Sequence, residues 1–373
     1  MPENTNKLIF SSSESSSDLL YATGFQASDP FLYFEVDGIK FAVMSSLELQ
    51  RAKNESKPDV NILDYSEIIH DVAERNPKGL FNYLVNKYPS LDWHIPTNFP
   101  CFYADMAREI GMKIKCENFE LFPKRSIKTP DEIDFIRYAM NVTMKAMRRA
   151  ENILRESDIN AKNELIWNNE LLTSEILKRE INIECIRLGA VAKHTIVAGG
   201  LKSAVPHDTG SGILRAHEPV VIDIFPRIEK TGYWGDMTRT FVRGKASDIV
   251  KNAYHAVYLA KEGSMKEVRV GAIPEKLHAL AVDIMKNNGF KTGKDDIGYY
   301  GFIHSLGHGV GLDIHENPKI GPKQLKPFEL GEIFTIEPGL YYREWGGIRL
   351  EDMVLVTKKG FESFTDYACT LEL

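Results

Sequence analysis

Apolar positions along the first 120 residues fall in short runs with a period near two, broken by turn residues. Phe31-Leu32-Tyr33-Phe34-Glu35-Val36 and residues 40–44 read as strands, and Asp37-Gly38 between them is a strong hairpin signal. Residues 66–74 and 79–87 carry a helical spacing instead, so the segment to about residue 120 reads as a small α/β domain. The serine-rich stretch 11–17 lies between apolar runs and reads as a surface loop. At Thr129-Pro130-Asp131-Glu132 the pattern changes. Thr129 can cap a helix that has proline at its first position and glutamate at its third, and apolar residues then recur at Ile133, Ile136, Ala139, Met140, Val142, Met144 and Met147. Further helical stretches are expected over about 161–179, 246–266 and 274–288. Strands are expected over 219–226, 232–242, 331–342 and 347–357. The reading is an α+β second domain, with the division of the chain at 1–123 and 124–373. No solenoid-type repeat is present.

Length fits this division, since 373 residues correspond to two or three domains at ~150 residues each. The balance of 46 Lys+Arg against 52 Asp+Glu gives a net charge of −6, which argues against nucleic acid as a partner. No run approaches the roughly 18–20 apolar residues of a membrane span, and the first ten residues show no secretory pattern. The four cysteines, Cys101, Cys116, Cys185 and Cys369, are scattered without a Cys-x-x-Cys pair, so they are expected as buried, reduced thiols of a cytoplasmic protein.

Two clusters can carry chemistry. His304, His308 and His315 fall within twelve residues with glycines between them, which suits metal binding or acid–base work. Asp223, Asp236, Glu337 and Glu351 each interrupt an apolar strand-like stretch. A buried carboxylate is costly unless it is paired or binds a metal, and four of them in one domain call for a common partner. Two divalent ions would balance the four negative charges. An oxygen-rich set with one imidazole suits Mn(II), Co(II) or Zn(II), and a water on such ions loses a proton near neutral pH.

The ordered set Asp223, Asp236, His308, Glu337 and Glu351 resembles the metal ligands of the pita-bread metallopeptidases. That family includes prolidase, aminopeptidase P, methionine aminopeptidase and the non-peptidase creatinase. The words around these residues match as well: Gly235-Asp236-Met237-Thr238-Arg239-Thr240-Phe241, the 304–315 cluster, Thr335-Ile336-Glu337-Pro338-Gly339-Leu340-Tyr341 and Arg349-Leu350-Glu351-Asp352. Leu20-Tyr21-Ala22-Thr23-Gly24-Phe25 is similar to the start of the creatinase-type N-terminal domain. The resemblance implies a pita-bread catalytic domain behind that smaller domain, a homodimer, and hydrolysis of the bond preceding proline in Xaa-Pro dipeptides, as in prolidase. Aminopeptidase P activity is the alternative within the family, and a catalytically silent peptide-binding protein is the alternative outside enzymes.

Roles follow from the same resemblance. Asp223 chelates one ion, Asp236 and Glu351 bridge both, and His308 and Glu337 bind the other. Glu337 also shuttles the proton. His315 steadies the carbonyl under attack, and His207 faces the substrate. His304 lines the pocket for the residue after the scissile bond. Thr238 and Arg349 orient the ligands, and Arg349 also borders the substrate. The sequence departs from the family at Asp223-Ile224-Phe225, where Asp-x-Gly is usual. Asp223 and Asp236 are also thirteen positions apart, two more than usual, and the extra residues are expected in a hairpin tip around 228–231.

Overall fold

A computed structural model describes residues 5–116 and 120–373. Met1–Asn4, part of the N-terminal stretch read for a secretory pattern, lie outside the described residues. The chain divides into two compact units, Met1–Arg125 and Ser126–Leu373.

The first unit is built on a six-stranded mixed sheet. Phe31–Val36 and Ile39–Met44 form its hairpin, closed by Asp37 and Gly38, both at positive φ. The expected surface loop at 11–17 is a turn exposed only at its tip, Glu14 and Ser15. Ser12, Ser13 and Ser16 are buried, and the Ser16 side chain caps the helix Ser17–Thr23 by accepting from the Leu19 amide. Serine hydroxyls can replace backbone partners locally, which a low-complexity reading overlooks. The helix expected over 66–74 is instead two separate turns, Tyr65–Ile68 and Val72–Glu74. Asp64 and Asp71 each start one of them by accepting from the amide two residues on.

The second unit opens with the helix Pro130–Glu156, whose capping box is complete. The Thr129 side chain accepts from the Glu132 amide, and Glu132 returns the bond to the Thr129 amide at 2.8 Å. Its apolar face is buried from Ile136 to Leu154. The expected helix at 161–179 is corrected. Leu165–Trp167 and Glu170–Leu171 pair as a tight hairpin, and a helix begins only at Ser174 and runs to Arg187. Asn168 and Asn169 between the strands both sit at positive φ, a conformation asparagine tolerates and a helix does not contain. Asp248–Lys266 and Pro274–Asn287 complete the long helices.

The strands of this unit form antiparallel layers. Ile196–Gly199, Val220–Ile224 and Met237–Phe241 make one sheet. Glu316–Ile320, Gly307–Gly309, Ile333–Ile336, Asp352–Thr357 and Gly360–Ser363 make a second, in that order. Gly339–Tyr342 pairs with Gly346–Arg349. The helices Asp248–Lys266 and Pro274–Asn287 pack on these strands through a common apolar core that includes Val257, Leu277, Phe334 and Val354. The cysteine expectation needs correction. All four are free, but Cys101 and Cys116 are exposed and only Cys185 is fully buried.

Candidate functional site

Three of the four candidate carboxylates lie at strand ends rather than within strands. Asp236 immediately precedes Met237–Phe241, Glu337 follows Ile333–Ile336, and Glu351 sits between Gly346–Arg349 and Asp352–Thr357. Only Asp223 is inside its strand, Val220–Ile224. The placement has a physical reason. A residue at a strand break is free of the strict alternation of faces, so several elements can turn one side chain each toward one point. His308 lies in the short strand Gly307–Gly309. Its flanking glycines are required there, because a Cβ on Gly307 would meet the Thr335 carbonyl oxygen at 1.9 Å and one on Gly309 the Asn317 carbonyl oxygen at 2.2 Å.

These residues converge on one cavity of about 730 Å³. Asp223, Asp236, His308, Glu337 and Glu351 all line it, together with His207, His304, His315 and Arg349. One ligand atom from each of Asp236, His308 and Glu351 lies within 4.8 Å of the others. His308 Nε2 is 3.7 Å from Asp236 Oδ2 and 3.4 Å from Glu337 Oε1. His308 Nδ1 faces the Gly309 carbonyl at 3.2 Å, so that nitrogen carries the proton and Nε2 offers its lone pair to the carboxylates. A lone pair aimed at carboxylate oxygens is repulsive without a cation between them.

Asp223 points to the same conclusion. Its Oδ2 accepts from Arg349 Nη2 at 2.7 Å, while its Oδ1 is buried with no hydrogen-bond partner among the described residues. A buried carboxylate oxygen left unpaired is costly, and a metal ion would satisfy it. Burial, then the charges of Glu351, Asp223 and Glu337, push the Asp236 carboxyl well above its usual range. Glu337 is raised in the same way, by burial and then by Glu351. Glu351 is pushed up to about 8 by burial and then by Asp223. Burial, then the neighbouring His315, takes the His308 imidazole down to about 3, so it stays neutral and able to ligate. Such a group of carboxylates ionises together only around positive charge. The donor set therefore fits divalent metal.

Arg349 holds the set in place. It is only 4% exposed and reaches Asp223, the Pro206 carbonyl, Thr238 and Tyr341. Thr238 Oγ1 accepts from Arg349 Nε and donates to Glu351 Oε2 at 2.7 Å, which links the arginine to a second carboxylate. Thr238 does not border the cavity and acts through these two bonds. Tyr341 Oη accepts from Arg349 Nη1, so its own proton goes to His304 Nε2 at 2.9 Å. His304 Nδ1 then donates to the Ser305 carbonyl at 2.7 Å. Both nitrogens of His304 are thus engaged, and the imidazole borders the cavity through its ring rather than through a free donor.

Sequence reasoning assigned no role to several residues that matter here. Tyr341 closes the run Thr335–Tyr341, in which nothing local marks its hydroxyl. Lys319 and Phe225 line the cavity. Beneath the site, buried Arg239 donates to the carbonyls of Thr238 and Glu351 and pairs with Asp352 at 2.7 Å, while Lys261 pairs with the other oxygen of Asp352. The run Met237-Thr238-Arg239-Thr240 places Arg239 on the face opposite Thr238. That alternation was the available signal for a cation behind the site.

Residues 134–358 match metallopeptidase family M24. Over 98% of both chains, the protein is 29% identical to an Xaa-Pro dipeptidase of Pyrococcus furiosus. The fold superimposes on that of a prolidase from Pyrococcus furiosus with a TM-score of 0.80 at 25% identity, covering 98% of this chain and 97% of the other. An X-Pro aminopeptidase from Thermotoga maritima shares the fold with a TM-score of 0.81 at 22% identity, covering 99% and 98%. These likenesses extend over both units and agree with an α+β pita-bread fold behind a smaller N-terminal part.

Proposed function

The chain belongs to metallopeptidase family M24, and on that premise we propose that it hydrolyses the bond preceding proline in Xaa-Pro dipeptides. The observation that carries this reading is the convergence of Asp236, His308 and Glu351 beside the unpaired Asp223 Oδ1, within a cavity large enough for a dipeptide. Asp223, Asp236, His308, Glu337 and Glu351 would hold two divalent ions, with Mn(II) or Co(II) preferred and Zn(II) acceptable for an oxygen-rich set. Bound there, the ions supply Lewis acidity and lower the pKa of water.

The chain's own groups do the rest. Glu337 is partly open to the cavity, and its carboxylate can take a proton and return it to the departing proline nitrogen. His315, whose ring centroid is 4.3 Å from that of His308, can donate to the oxygen that becomes negative as the carbonyl is attacked. His207, His304 and Arg349 line the same cavity and would border the substrate. Arg349 occupies Asp223 Oδ2 and leaves Oδ1 to the cation.

A dipeptide also needs a partner for its terminal carboxylate, and the sequence between His315 and Glu337 contains no arginine. Lys319 lies across the strand pair from His308, lines the cavity, and has no ion-pair partner among the described residues. We assign it this role. Lys319→Ala should lower kcat/KM for an Xaa-Pro dipeptide roughly tenfold to a hundredfold, the worth of a charged hydrogen bond. The matching Xaa-Pro amide, which has no carboxylate, should be unaffected. Equal losses on both substrates would remove Lys319 from this role.

The activity itself is tested with Mn(II)- or Co(II)-loaded protein on Xaa-Pro dipeptides and on Xaa-Pro-Yaa peptides. Faster turnover of the dipeptide supports the dipeptidase reading, and faster turnover of the longer peptide would make the protein an aminopeptidase P. No turnover of either, with two metals per chain verified by elemental analysis, would overturn both. The family resemblance also favours a homodimer, and the free cysteines favour a reducing, cytoplasmic setting.

A further inference from the structure

Residues 311–315, between the strands Gly307–Gly309 and Glu316–Ile320, form neither helix nor strand, yet they carry His315 into the cavity. No hydrogen bond among the described residues holds the His315 ring, so its place is set by the loop that bears it. That loop is fastened from two directions. Trp234 holds its start, with the backbone amide donating to the Gly311 carbonyl and the indole N–H to the Leu312 carbonyl, each at 3.0 Å. Glu316 holds its end. The Glu316 carboxylate lies against Gly311, where a Cβ would meet its Oε1 at 2.4 Å, and its Oε2 accepts from the Asp313 amide at 3.4 Å. Its Oε1 accepts from Lys128 Nζ at 2.7 Å, and the two side chains are only 1% (Lys128) and 5% (Glu316) exposed. The Lys128 backbone is fixed in turn. Its amide donates to the Gly331 carbonyl at 2.9 Å, and Ile127 bridges Glu332, just ahead of the strand Ile333–Ile336 that leads to Glu337.

A buried ion pair is a poor stabiliser, because taking both charges out of water costs about as much as their attraction returns. This pair uses one carboxylate oxygen on the cation and the other on the loop backbone, which is the arrangement of a clamp. We propose that the ion pair of Lys128 with Glu316 positions His315. It ties the loop bearing the imidazole to the start of the strand that delivers Glu337, and so keeps the group facing the negative oxygen in register with the group that moves the proton. The inference rests on the roles given above to His315 and Glu337. Glu316 borders the cavity, but its carboxylate is engaged with the loop and with Lys128, so it acts through its neighbour and is a positioning residue. Trp234 secures only Gly311 and Leu312, which leaves the end of the loop that bears His315 dependent on Glu316. A shift of about 1 Å in a group that meets the reacting atoms costs on the order of a hundredfold in rate.

The test removes both charges together, as Lys128→Met with Glu316→Gln in one chain, so that neither is left buried alone. On an Xaa-Pro dipeptide, kcat of the metal-loaded full-length protein should fall roughly tenfold to a hundredfold, while KM and metal content stay near wild type. A second readout needs no turnover. In NMR spectra of the diamagnetic Zn(II)-loaded protein with isotope-labelled histidine, the His315 signal, identified by its loss in His315→Ala, should shift or broaden in the double variant. A pair that serves only the fold would lower the melting temperature and leave kcat and the His315 signal unchanged, and that result would overturn the proposal. A fall in kcat with an unmoved His315 signal would overturn it too, as would a displaced signal with unchanged kcat. Should the double variant not fold, Glu316→Asp, which keeps the charge and shortens its reach, is read for the same two quantities with smaller changes. Wild-type protein with no turnover of any Xaa-Pro peptide would bring down the Xaa-Pro reading itself, and the His315 signal would still decide whether the ion pair positions the imidazole.

Discussion

Asp236→Asn and Glu351→Gln should each abolish Xaa-Pro turnover, by on the order of a thousandfold or more, with both metals lost or weakened. The two carboxylates are 4% and 2% exposed and meet His308 within 4.8 Å, and on the proposed ligand assignment each would serve both ions. Neutralising one removes charge from two sites at once. The several kcal/mol that a divalent ion contributes to a charged transition state are lost with it. Glu351→Gln also disturbs the bond from Thr238 Oγ1, which in turn holds Arg349. Metal content by elemental analysis and kcat/KM on one dipeptide read the effect together. His315→Ala provides the contrast, since it should keep both metals and lose turnover. If either carboxylate variant kept near-normal activity, the ligand assignment would be wrong.

The ligand words were readable because each combines a titratable residue with the apolar stretch that buries it. What periodicity could not show is how those words meet. Three of the four carboxylates occupy strand breaks, and a break lacks the alternation from which a face is read. Lys319 carries no motif of its own, and Phe225 shows only as a departure from Asp-x-Gly. Lys319 enters the cavity because its strand pairs with the one bearing His308, and Phe225 because its register places it opposite Asp236. Both facts are long-range. The missed hairpin at 165–171 is the converse case. Its signal, adjacent asparagines at positive φ, is local, yet it lay within a stretch whose apolar spacing also suited a helix. The capping box at Thr129 was legible for the opposite reason, since all of its parts lie within four residues.

Chelation should lower the melting temperature, and the loss should grow between pH 6.5 and 8. Each ion that binds only the folded chain stabilises it by about 4 kcal/mol at a thousandfold excess over Kd, or roughly 5–10 °C per ion for a unit of this size. The pH dependence of the chelated protein comes from two opposing groups. His304 and His308 are held down to about 3 from 6.5, so folding is disfavoured as pH falls below 6.5, and their contribution levels off about a pH unit above it. Glu351 is raised from 4.5 to about 8, and Asp236 and Glu337 are also raised. In the chelated fold these carboxyls keep protons that the unfolded chain releases, so stability falls as pH climbs from 4.5 toward 8. Below 6.5 the two slopes oppose each other. Above 6.5 the histidine gain is under about 1 kcal/mol in all, whereas Glu351 alone removes roughly 1.6 kcal/mol by pH 8 and Asp236 and Glu337 act in the same direction, a net loss of a few degrees. In the loaded protein the same carboxylates are ionised against metal at every pH in this window, so the decline should be absent. Thermal melts of chelated and reloaded protein at pH 6.5 and pH 8 separate the two cases. Parallel curves would mean that the carboxylates do not face a shared metal site.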